Sequence, residues 1–391
     1  MIKIEKIIPG GQALATMPNG KKVFFWNALP GETITDYKVT KTKTHYLEAI
    51  ANDIASPSPF RIEPKDPCFL STSPWQIIDY DYELKLKSSL VQEVFREHDV
   101  RIEEPEIVTN HHDYHYRNKM EYALYWDHDT SKIRLAFHER GSHRKIPITT
   151  SSLERPEIFE AATKIVDDLN SRHEEARKYQ TLLLRCNQEG EVSGGLYENH
   201  QPHPIFPPLS DTILGHTYSY SPNGFFQINL PVYEMALKEI KKHITTDRVL
   251  DLYSGVGTIG LSVAPDRNLT LVECDKSAFK ELQNNCEQAK NSNSGKFAPE
   301  AILAKSEDVI NYIEPDMTVI LDPPRAGCDR KLIDRLNEVK PTRIIYLSCN
   351  PATEARDVKL LLDNYRIDLV KTFNFFPHTP HIENLVILSR K

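Results

Sequence analysis

Three side chains in the last third of the 391-residue chain have the types that a covalent addition–elimination reaction needs. Cys349 ends an apolar run and is followed by Asn350-Pro351, which favours the first turn of a helix. Asp322 lies between an apolar run and two prolines, which stiffen the chain around the carboxylate. Glu383 precedes the final apolar run. We expect Cys349 to be a nucleophile, Asp322 a positioned polar group and Glu383 a base.

The surroundings of Cys349 decide whether its thiol is reactive. A lone cysteine is usually a small core residue, but the dipole at a helix N-terminus stabilises a thiolate. If the pKa falls from about 8.5 to about 7, the thiolate fraction at pH 7 rises about fifteenfold. We therefore expect a lowered pKa for Cys349.

A glycine-rich loop follows the first apolar run of the same region. Gly255, Gly257 and Gly260 have the G-x-G-x-x-G spacing of nucleotide-binding loops, and Glu273 ends the next apolar run, where it can accept hydrogen bonds from ribose hydroxyls. A dinucleotide, S-adenosylmethionine and a purely structural turn are the alternatives. Asp251, just before the loop, would repel a pyrophosphate but complement the cationic amino-acid end of S-adenosylmethionine. This carboxylate favours S-adenosylmethionine.

Strand-like runs alternate with helical patterns in residues 221–391. Apolar runs at 248–252, 269–272, 317–321 and 343–347 are separated by helical patterns at 276–290, 330–339 and 352–363. This alternation predicts a doubly wound parallel sheet, which binds ligands at the carboxyl ends of its strands. Because Cys349, Asp322 and the glycine loop all follow such strands, we expect them to meet at one edge of the sheet.

Two further regions precede this domain. Residues 1–56 contain short strand-like runs separated by turn signals, which predict a small β-barrel of the kind that binds oligonucleotides. Residues 57–220 begin with a Pro- and Ser-rich linker and have a mixed α/β pattern, with a helix near 79–100 that can pack on the last domain. We therefore predict an α/β protein with domains at 1–56, 57–220 and 221–391.

The composition is that of a globular chain, with 40% hydrophobic and 26% charged residues, and it excludes a wholly disordered protein. The net charge of −7 argues against a generic basic coat protein for nucleic acids. No run approaches the roughly 18 apolar residues of a membrane span, and the first residues lack the apolar core of a secretory signal. Six cysteines without a CxxC pair are not a disulfide framework. We expect a cytoplasmic monomer.

Taken in order, the motifs resemble those of the RNA uracil-C5 methyltransferases over nearly the whole chain. The resemblance implies a Rossmann-like methyltransferase domain behind a central domain and an N-terminal barrel similar to the TRAM domain of many members. The motifs that carry it are Tyr116-Arg117-Asn118-Lys119, Phe137-His138-Glu139-Arg140-Gly141-Ser142-His143, Phe225-Phe226-Gln227-Ile228-Asn229, the glycine loop, Asp322-Pro323-Pro324-Arg325, Ser348-Cys349-Asn350-Pro351 and His381-Ile382-Glu383.

The resemblance also implies a reaction, the methylation of carbon 5 of a uridine in RNA by S-adenosylmethionine. Cys349 would attack carbon 6, and Glu383 would remove the proton from carbon 5. The positions that match the family's donor-binding residues are Gln227, Tyr253, Thr258, Glu273 and Asp322. Asp322 would also face the target base, and Thr258 stands where several members carry Asn. We expect 23S ribosomal RNA as the substrate, with transfer RNA as the alternative.

Many members of this family hold a [4Fe–4S] cluster through four cysteines of the central domain. Here only Cys68 stands in that region, while 71–76 occupies the place of the usual Cys-rich run and Ser151-Ser152 the place of the fourth ligand. One thiol cannot hold a cluster that needs four ligands. We therefore expect no iron–sulfur cluster and no metal.

Basic and aromatic side chains interleave in the central region, as phosphate contacts and base stacking in an RNA complex would favour. The candidate RNA-facing residues are Arg117, Lys119, Arg140, Arg144 and Lys145, with Lys38, Lys41 and Lys43 in the barrel. Two rival functions stay open at this point. One is a methyltransferase that acts on an exocyclic amino group and needs no Cys349, and the other is a non-catalytic RNA-binding protein.

Overall fold

A computed structural model describes residues 1–198, 201–203, 206–292 and 298–391 of the chain. Its strands are β1 Ile2–Ile7, β2 Ala13–Thr16, β3 Lys22–Trp26, β4 Thr33–Thr42, β5 Tyr46–Ser56, β6 Glu106–Val108, β7 Lys119–Asp127, β8 Lys132–His138, β9 Lys145–Pro147, β10 Thr181–Cys186, β11 Val192–Glu198, β12 Gln201–His203, β13 Leu209–Ile213, β14 His216–Tyr220, β15 Arg248–Leu252, β16 Asn268–Glu273, β17 Glu300–Leu303, β18 Met317–Leu321, β19 Arg343–Ser348, β20 Tyr365–Phe373 and β21 Glu383–Arg390. Its α-helices are α1 Phe69–Thr72, α2 Tyr80–Glu97, α3 Pro156–Ser171, α4 Leu230–Lys242, α5 Thr258–Val263, α6 Lys276–Ser292, α7 Arg330–Val339 and α8 Pro351–Leu361. Within the described ranges, no helix combines the length and the apolar character that a membrane crossing requires.

The first five strands close into a small barrel in the order β1-β2-β3-β5-β4. Side chains alternate between its interior and its surface, so that Ile2 and Ile4 of β1 and Val23 and Phe25 of β3 are buried. β3 and β5 run parallel, whereas the other pairs are antiparallel. The predicted barrel is confirmed, with one additional strand, β2, whose short alanine-rich sequence carries little strand signal.

A six-stranded antiparallel sheet in the order β12-β11-β10-β7-β8-β9 forms the middle of the chain. Helix α3 covers one face of this sheet, and its buried residues share a core with Tyr122, Leu182 and Leu184. Helix α3 and this sheet agree with the mixed α/β pattern expected for residues 57–220. The hairpin of β10 and β11 was not predicted, because a run of leucines suits a buried helix as well as a strand.

An eight-stranded sheet in the order β17-β16-β15-β18-β19-β21-β20-β6 forms the last part of the chain. β16, β15, β18 and β19 are parallel, as predicted, and β17 is a fifth parallel strand that the sequence analysis did not predict. β21 is inserted antiparallel between β19 and β20. Since β21 runs in the opposite direction, its first residue lies at the same edge as the carboxyl ends of the parallel strands. The α/β fold class is confirmed.

Elements from the first two regions also pack on this sheet. Helix α2 packs against α8, and β6 extends the sheet beside β20. The β13–β14 hairpin packs against α5 and α6. The β13–β14 hairpin precedes residue 220 but belongs to the same core as the helices that follow that residue. The division of the chain at residue 220 stays a prediction.

Candidate active site

A cavity of 1510 Å³ opens at the carboxyl ends of the parallel strands. The predicted site residues that line it are Arg117, Gln227, Tyr253, Gly255, Thr258, Glu273, Asp322, Cys349 and Glu383. Asp251, Gly257, Lys119, Arg140 and Arg144 are not among its lining residues. The structure thus brings the glycine loop, the thiol and three carboxyl groups into one space.

The glycine loop connects β15 to α5 and is tied to the end of β16. Gly257 has a φ of 90°, and a side chain there would place its Cβ 2.6 Å from Cδ1 of Leu282. Gly255 has a φ of 56° and donates its N–H to Oε2 of Glu273 at 2.8 Å. The other oxygen of Glu273 accepts hydrogen bonds from the two backbone N–H groups that follow it. The loop therefore presents open backbone and a fixed carboxylate to the cavity.

Asp251 does not face the cavity, contrary to the expectation that it contacts a cofactor. Its side chain is fully buried, and its Oδ2 accepts a hydrogen bond from the N–H of Gly260 at 2.9 Å. Burial raises the pKa of this carboxyl to about 8, and the charges of Asp322 and Glu273 add to the rise. The Asp251 side chain instead ties the beginning of α5 to β15 through this hydrogen bond.

Two carboxyl groups face the cavity without a hydrogen-bond partner among the residues that the structure describes. Burial raises the pKa of Asp322, which directly follows β18, to about 7. Glu383 is 4% exposed, and burial together with the charge of Asp322 raises its pKa well above the ordinary value. A raised pKa means that a carboxyl group, once ionised, binds a proton tightly, so both groups can act as bases when a nearby positive charge favours their ionised forms.

Cys349 lies directly beside Glu383. Ser348, the last residue of β19, pairs with Asn384 of β21, and the strands are antiparallel. The residue after Ser348 is therefore brought next to the residue before Asn384. Two residues that are distant in sequence thus become neighbours, because β21 is inserted in the opposite direction to its neighbours in the sheet.

The helix cap after Cys349 forms as predicted, but its effect on the thiol was predicted wrongly. Asn350 accepts a hydrogen bond from an N–H of the first turn of α8. Burial raises the pKa of Cys349 to about 11, and the charges of Glu383 and Asp322 add to the rise. Burial and two nearby carboxylates outweigh the helix dipole, so reaction of this thiol requires a proton transfer within the site.

The turn at 374–380, which leads into β21, is held by helix α2. Glu83 and Lys87 form a buried ion pair of 2.8 Å. Glu83 accepts a hydrogen bond from the N–H of His378 at 2.9 Å, and Lys87 donates one to the carbonyl of Phe376 at 3.0 Å. Two charged residues on the apolar stripe of a helix are a signal in the sequence that our interpretation did not include.

The barrel and the segment before α2 contact the same turn. Trp75 donates its backbone N–H to the carbonyl of His378 and its Nε1–H to the carbonyl of Gly11, each at 3.0 Å. Gly11, in the barrel, lies so close to Pro380 that a Cβ there would be 2.1 Å from the proline Cβ. All three regions of the chain therefore help to position the turn from which the Glu383 strand begins.

Arg117 is the predicted RNA-facing residue that reaches the cavity. Its Nε donates to the carbonyl of Lys119 at 2.9 Å, and its guanidinium has no acidic partner among the described residues. Lys119 is half-buried behind it, and burial with the charges of Arg185 and Arg117 lowers the lysine pKa to about 8. The two residues add positive charge on the central-region side of the cavity.

Arg140 and Arg144 lie farther out, between the central region and the barrel. The guanidinium of Arg140 lies 4.2 Å from the centroid of the Trp26 ring in the barrel. Arg144 forms an exposed ion pair of 2.6 Å with Glu139. Their predicted contact with RNA therefore places RNA across the junction with the barrel, and it stays a prediction.

Two further residues of the recognised motifs line the cavity, although the sequence suggested no role for them. They are His381 and Arg325, whose Nδ1 and Nη2 atoms are 3.2 Å apart. The carbonyl of Arg325 accepts a hydrogen bond from Nδ2 of Asn350 at 2.9 Å, which ties the Pro-Pro-Arg segment to the start of α8.

Comparisons with known proteins agree with this arrangement. Residues 213–391 match the family described as tRNA (Uracil-5-)-methyltransferase. Two relatives described as "Uncharacterized RNA methyltransferase" come from Enterococcus faecalis, 29% identical over 94% of this chain and 92% of the relative, and Lactiplantibacillus plantarum, 27% identical over 97% and 95%. The fold is similar to that of the Pyrococcus abyssi tRNA (uracil-54, C5)-methyltransferase, solved with S-adenosyl-L-homocysteine, with a TM-score of 0.76, 24% identity and coverage of 99% of this chain and 100% of that one.

The family match covers the part of the chain that contains the glycine loop, Asp322, Cys349 and Glu383. The relatives extend the similarity over nearly the full length, including the barrel and the central region. By its sequence motifs and its matches, the chain is similar to the RNA (uracil-C5)-methyltransferases, most directly over residues 213–391.

Proposed function

We propose that this protein methylates carbon 5 of a uridine in RNA, with S-adenosylmethionine as the donor, through a covalent bond between Cys349 and carbon 6. One observation carries the proposal: Cys349, Glu383 and Asp322 line the same cavity as the glycine loop. A nucleophile next to a buried base is what addition to a pyrimidine ring and elimination from it require.

The residues around the glycine loop fit the proposed donor. The space at Gly255 is open, with no atom within 4 Å of where a Cβ would stand, so a ligand can approach the backbone closely. The Glu273 carboxylate at the end of β16 is placed to accept hydrogen bonds from ribose hydroxyls. The side chains that would complete the donor site are Gln227, Tyr253 and Thr258, all of which line the cavity.

The first half of the proposed reaction forms the bond between sulfur and carbon 6. Asp322, in its ionised form, accepts the proton of the Cys349 thiol, and the sulfur attacks carbon 6. The electron pair of the ring double bond moves toward O4, which makes carbon 5 nucleophilic. S-adenosylmethionine supplies the electrophilic methyl group that carbon 5 accepts.

The second half releases the enzyme. Glu383 removes the remaining proton from carbon 5, and the electron pair restores the ring double bond and expels the sulfur. Cys349 regains its proton from Asp322, and Glu383 loses its proton to solvent. The buried position of Glu383 suits this step, because its raised pKa makes the ionised carboxylate a strong proton acceptor.

Transfer of a labelled methyl group to RNA from cells that lack the protein tests this proposal. We expect label in 5-methyluridine with the wild-type protein and none with Cys349→Ala, while calorimetry shows unchanged donor binding. Methylation that survives in Cys349→Ala would instead support an enzyme acting on an amino group. Donor-independent RNA binding without any methyl transfer would support a non-catalytic protein, and either result would overturn the proposal.

Mapping the label distinguishes the two RNA classes. The sequence expectation was 23S ribosomal RNA, for which the barrel was the reason. The archaeal transfer RNA enzyme matches 99% of this chain in fold, so the barrel does not separate the two classes, and the family description names transfer RNA. We propose transfer RNA as the substrate, and 5-methyluridine missing only from 23S RNA in cells that lack the protein would refute this choice.

The prediction that no iron–sulfur cluster is bound has its own test. Cys68 is buried, and the described residues contain no group of three or more His, Cys, Asp or Glu side chains placed to hold a metal. We expect protein purified without oxygen to be colourless. Absorbance near 400 nm, with iron and sulfide in stoichiometric amounts, would contradict the prediction.

A further inference from the structure

His381 and Glu383 lie on the same side of the chain as it enters β21. Both line the cavity, whereas Ile382 between them is 8% exposed and packs into the core. Side chains two residues apart in an extended chain point the same way, at a backbone separation of about 6–7 Å. A pyrimidine whose carbon 5 proton faces Glu383 therefore has the neighbouring carbonyl, C4–O4, within reach of a side chain at position 381.

The contact with Arg325 determines which nitrogen of the His381 ring carries hydrogen. Nη2 of Arg325 is 3.2 Å from Nδ1 of His381, and a guanidinium can only donate. Nδ1 is therefore the acceptor, and in the neutral ring the hydrogen is on Nε2. Nε2 has no hydrogen-bond partner among the described residues. The ring is also held edge-to-face by Phe376, at a centroid distance of 5.5 Å.

The charge of the ring follows from the groups around it. Burial, together with the positive charges of Arg325, Lys87, Arg117 and Arg140, lowers the pKa of His381 to about 4. Glu83 of α2 is paired with Lys87 and with the N–H of His378. His381 is therefore a neutral hydrogen-bond donor near pH 7, and it does not repel a cationic methyl donor.

We infer that His381 is a further catalytic residue, which donates a hydrogen bond from Nε2–H to O4 of the target uracil, and that Arg325 positions it. This inference depends on the function proposed above. When the sulfur of Cys349 bonds to carbon 6, the electron pair of the C5=C6 bond moves through carbon 4 onto O4. The thiol proton goes to Asp322, and no proton leaves His381. A neutral donor aimed at this oxygen stabilises the charge where it develops.

The rate of covalent addition tests the inference. The probe is RNA from cells that lack the protein and are grown with 5-fluorouracil, since a C5–F group cannot lose a proton and leaves the adduct trapped. We expect His381→Leu to form the adduct about 10²–10³-fold more slowly than wild type, as for loss of one oxyanion donor. His381→Gln, whose amide can donate from a similar position, should recover the rate to within about 10-fold of wild type.

A matched control and a separate readout keep the test specific. His216→Leu changes a half-buried histidine of β14 that does not line the cavity, and it should form the adduct at the wild-type rate. In the protein alone, ¹⁵N spectra should show His381 as the neutral Nε2–H form down to about pH 5. Arg325→Met should convert His381 to a mixture of its two neutral tautomers. Arg325→Lys should restore part of the Nε2–H population.

The outcomes separate this inference from the function it depends on. If wild-type protein forms no adduct, or if Cys349→Ala forms one, the proposed function fails. If wild type forms the adduct and His381→Leu forms it within about threefold of that rate, only the role of His381 fails. A His381 signal that titrates near the ordinary value of about 6.5 would also overturn the inference.

Discussion

The methyl donor and its demethylated product should differ in how many protons they displace from the protein when they bind. S-adenosylmethionine carries a positive sulfonium, whereas S-adenosylhomocysteine carries a neutral thioether. Because in the proposed reaction the methyl group reaches the carbon next to the one that Cys349 attacks, the positive charge has to lie near Asp322 and Glu383. A cation within about 4–6 Å lowers the pKa of a carboxyl group by about 1–3 units.

The pKa values of the two carboxyl groups set the size of the effect. Asp322, with a pKa of about 7, is about half ionised at pH 7. A decrease of ~1 unit raises its ionised fraction to ~0.9 and releases ~0.4 of a proton. Glu383, whose pKa burial raises well above its ordinary value, adds at most ~1 further proton, the capacity of a single carboxyl group. We therefore expect S-adenosylmethionine to displace ~0.4–1.4 more protons than S-adenosylhomocysteine. The Kd of S-adenosylmethionine should fall at least ~2.5-fold for each unit by which pH rises near pH 7.

Calorimetric titration in two buffers with different ionisation enthalpies measures this proton count directly. Asp322→Asn should remove ~0.4 of a proton from the difference between the two ligands, and Glu383→Gln should remove most of the rest. Glu354→Gln is the matched control, because Glu354 is a fully buried carboxyl of α8 with a raised pKa that does not line the cavity. Equal proton counts for the two ligands would refute the reasoning.

Three further variants test other parts of the site. Glu383→Gln should accumulate a covalent RNA adduct, seen as a retarded band on denaturing gels, because no group removes the carbon 5 proton; absence of the band would contradict its role. Asp251→Asn should become more stable relative to wild type as pH rises from 4 to 8, by at most ~1.4 kcal/mol of unfolding free energy per pH unit. The reason is that the pKa of Asp251, about 8 in the folded protein, exceeds the unfolded value, so that ionisation opposes folding. A difference in melting temperature that does not change with pH would argue against this. Lys87→Met should lower the free energy of unfolding, measured in urea, by ~3–5 kcal/mol, since it leaves Glu83 buried without its cation. Adding Glu83→Gln to the same chain should recover part of the lost stability. An unchanged midpoint of urea unfolding in Lys87→Met would contradict the pairing.

The parts of the fold that the sequence predicted well are those with strong local patterns. The apolar run at 317–321 and the helical pattern at 330–339 coincide with β18 and α7, because each is bounded by turn or cap residues. The parallel order of the sheet followed from the alternation of such elements. β21 was seen as a final strand, but its antiparallel insertion depends on pairing with β19, which no local pattern specifies.

The site was predicted where motifs are contiguous and missed where distant residues determine the chemistry. The sequence places Asp251 correctly before the loop. When both faces of a strand are buried, however, periodicity does not show which of its side chains line a cavity. The pKa of Cys349 was predicted from its helix alone, whereas the dominant charges come from Glu383 and Asp322 on other strands. The hydrogen-bonding state of His381 depends on Arg325, 56 residues earlier in the chain.

The electrostatics of the resting site explain how a nucleophile can be stored in an open cavity. Without a ligand, Cys349 is held as a thiol, since burial and two neighbouring carboxyl groups all oppose its ionisation. The same burial raises the pKa of Glu383 and so favours its protonated form, which cannot act as a base. A positive charge beside these groups reverses both conditions, because it favours the carboxylates that accept the thiol and carbon 5 protons. In the proposed reaction, the raised pKa values therefore make the reactivity of the thiol conditional on a bound methyl donor.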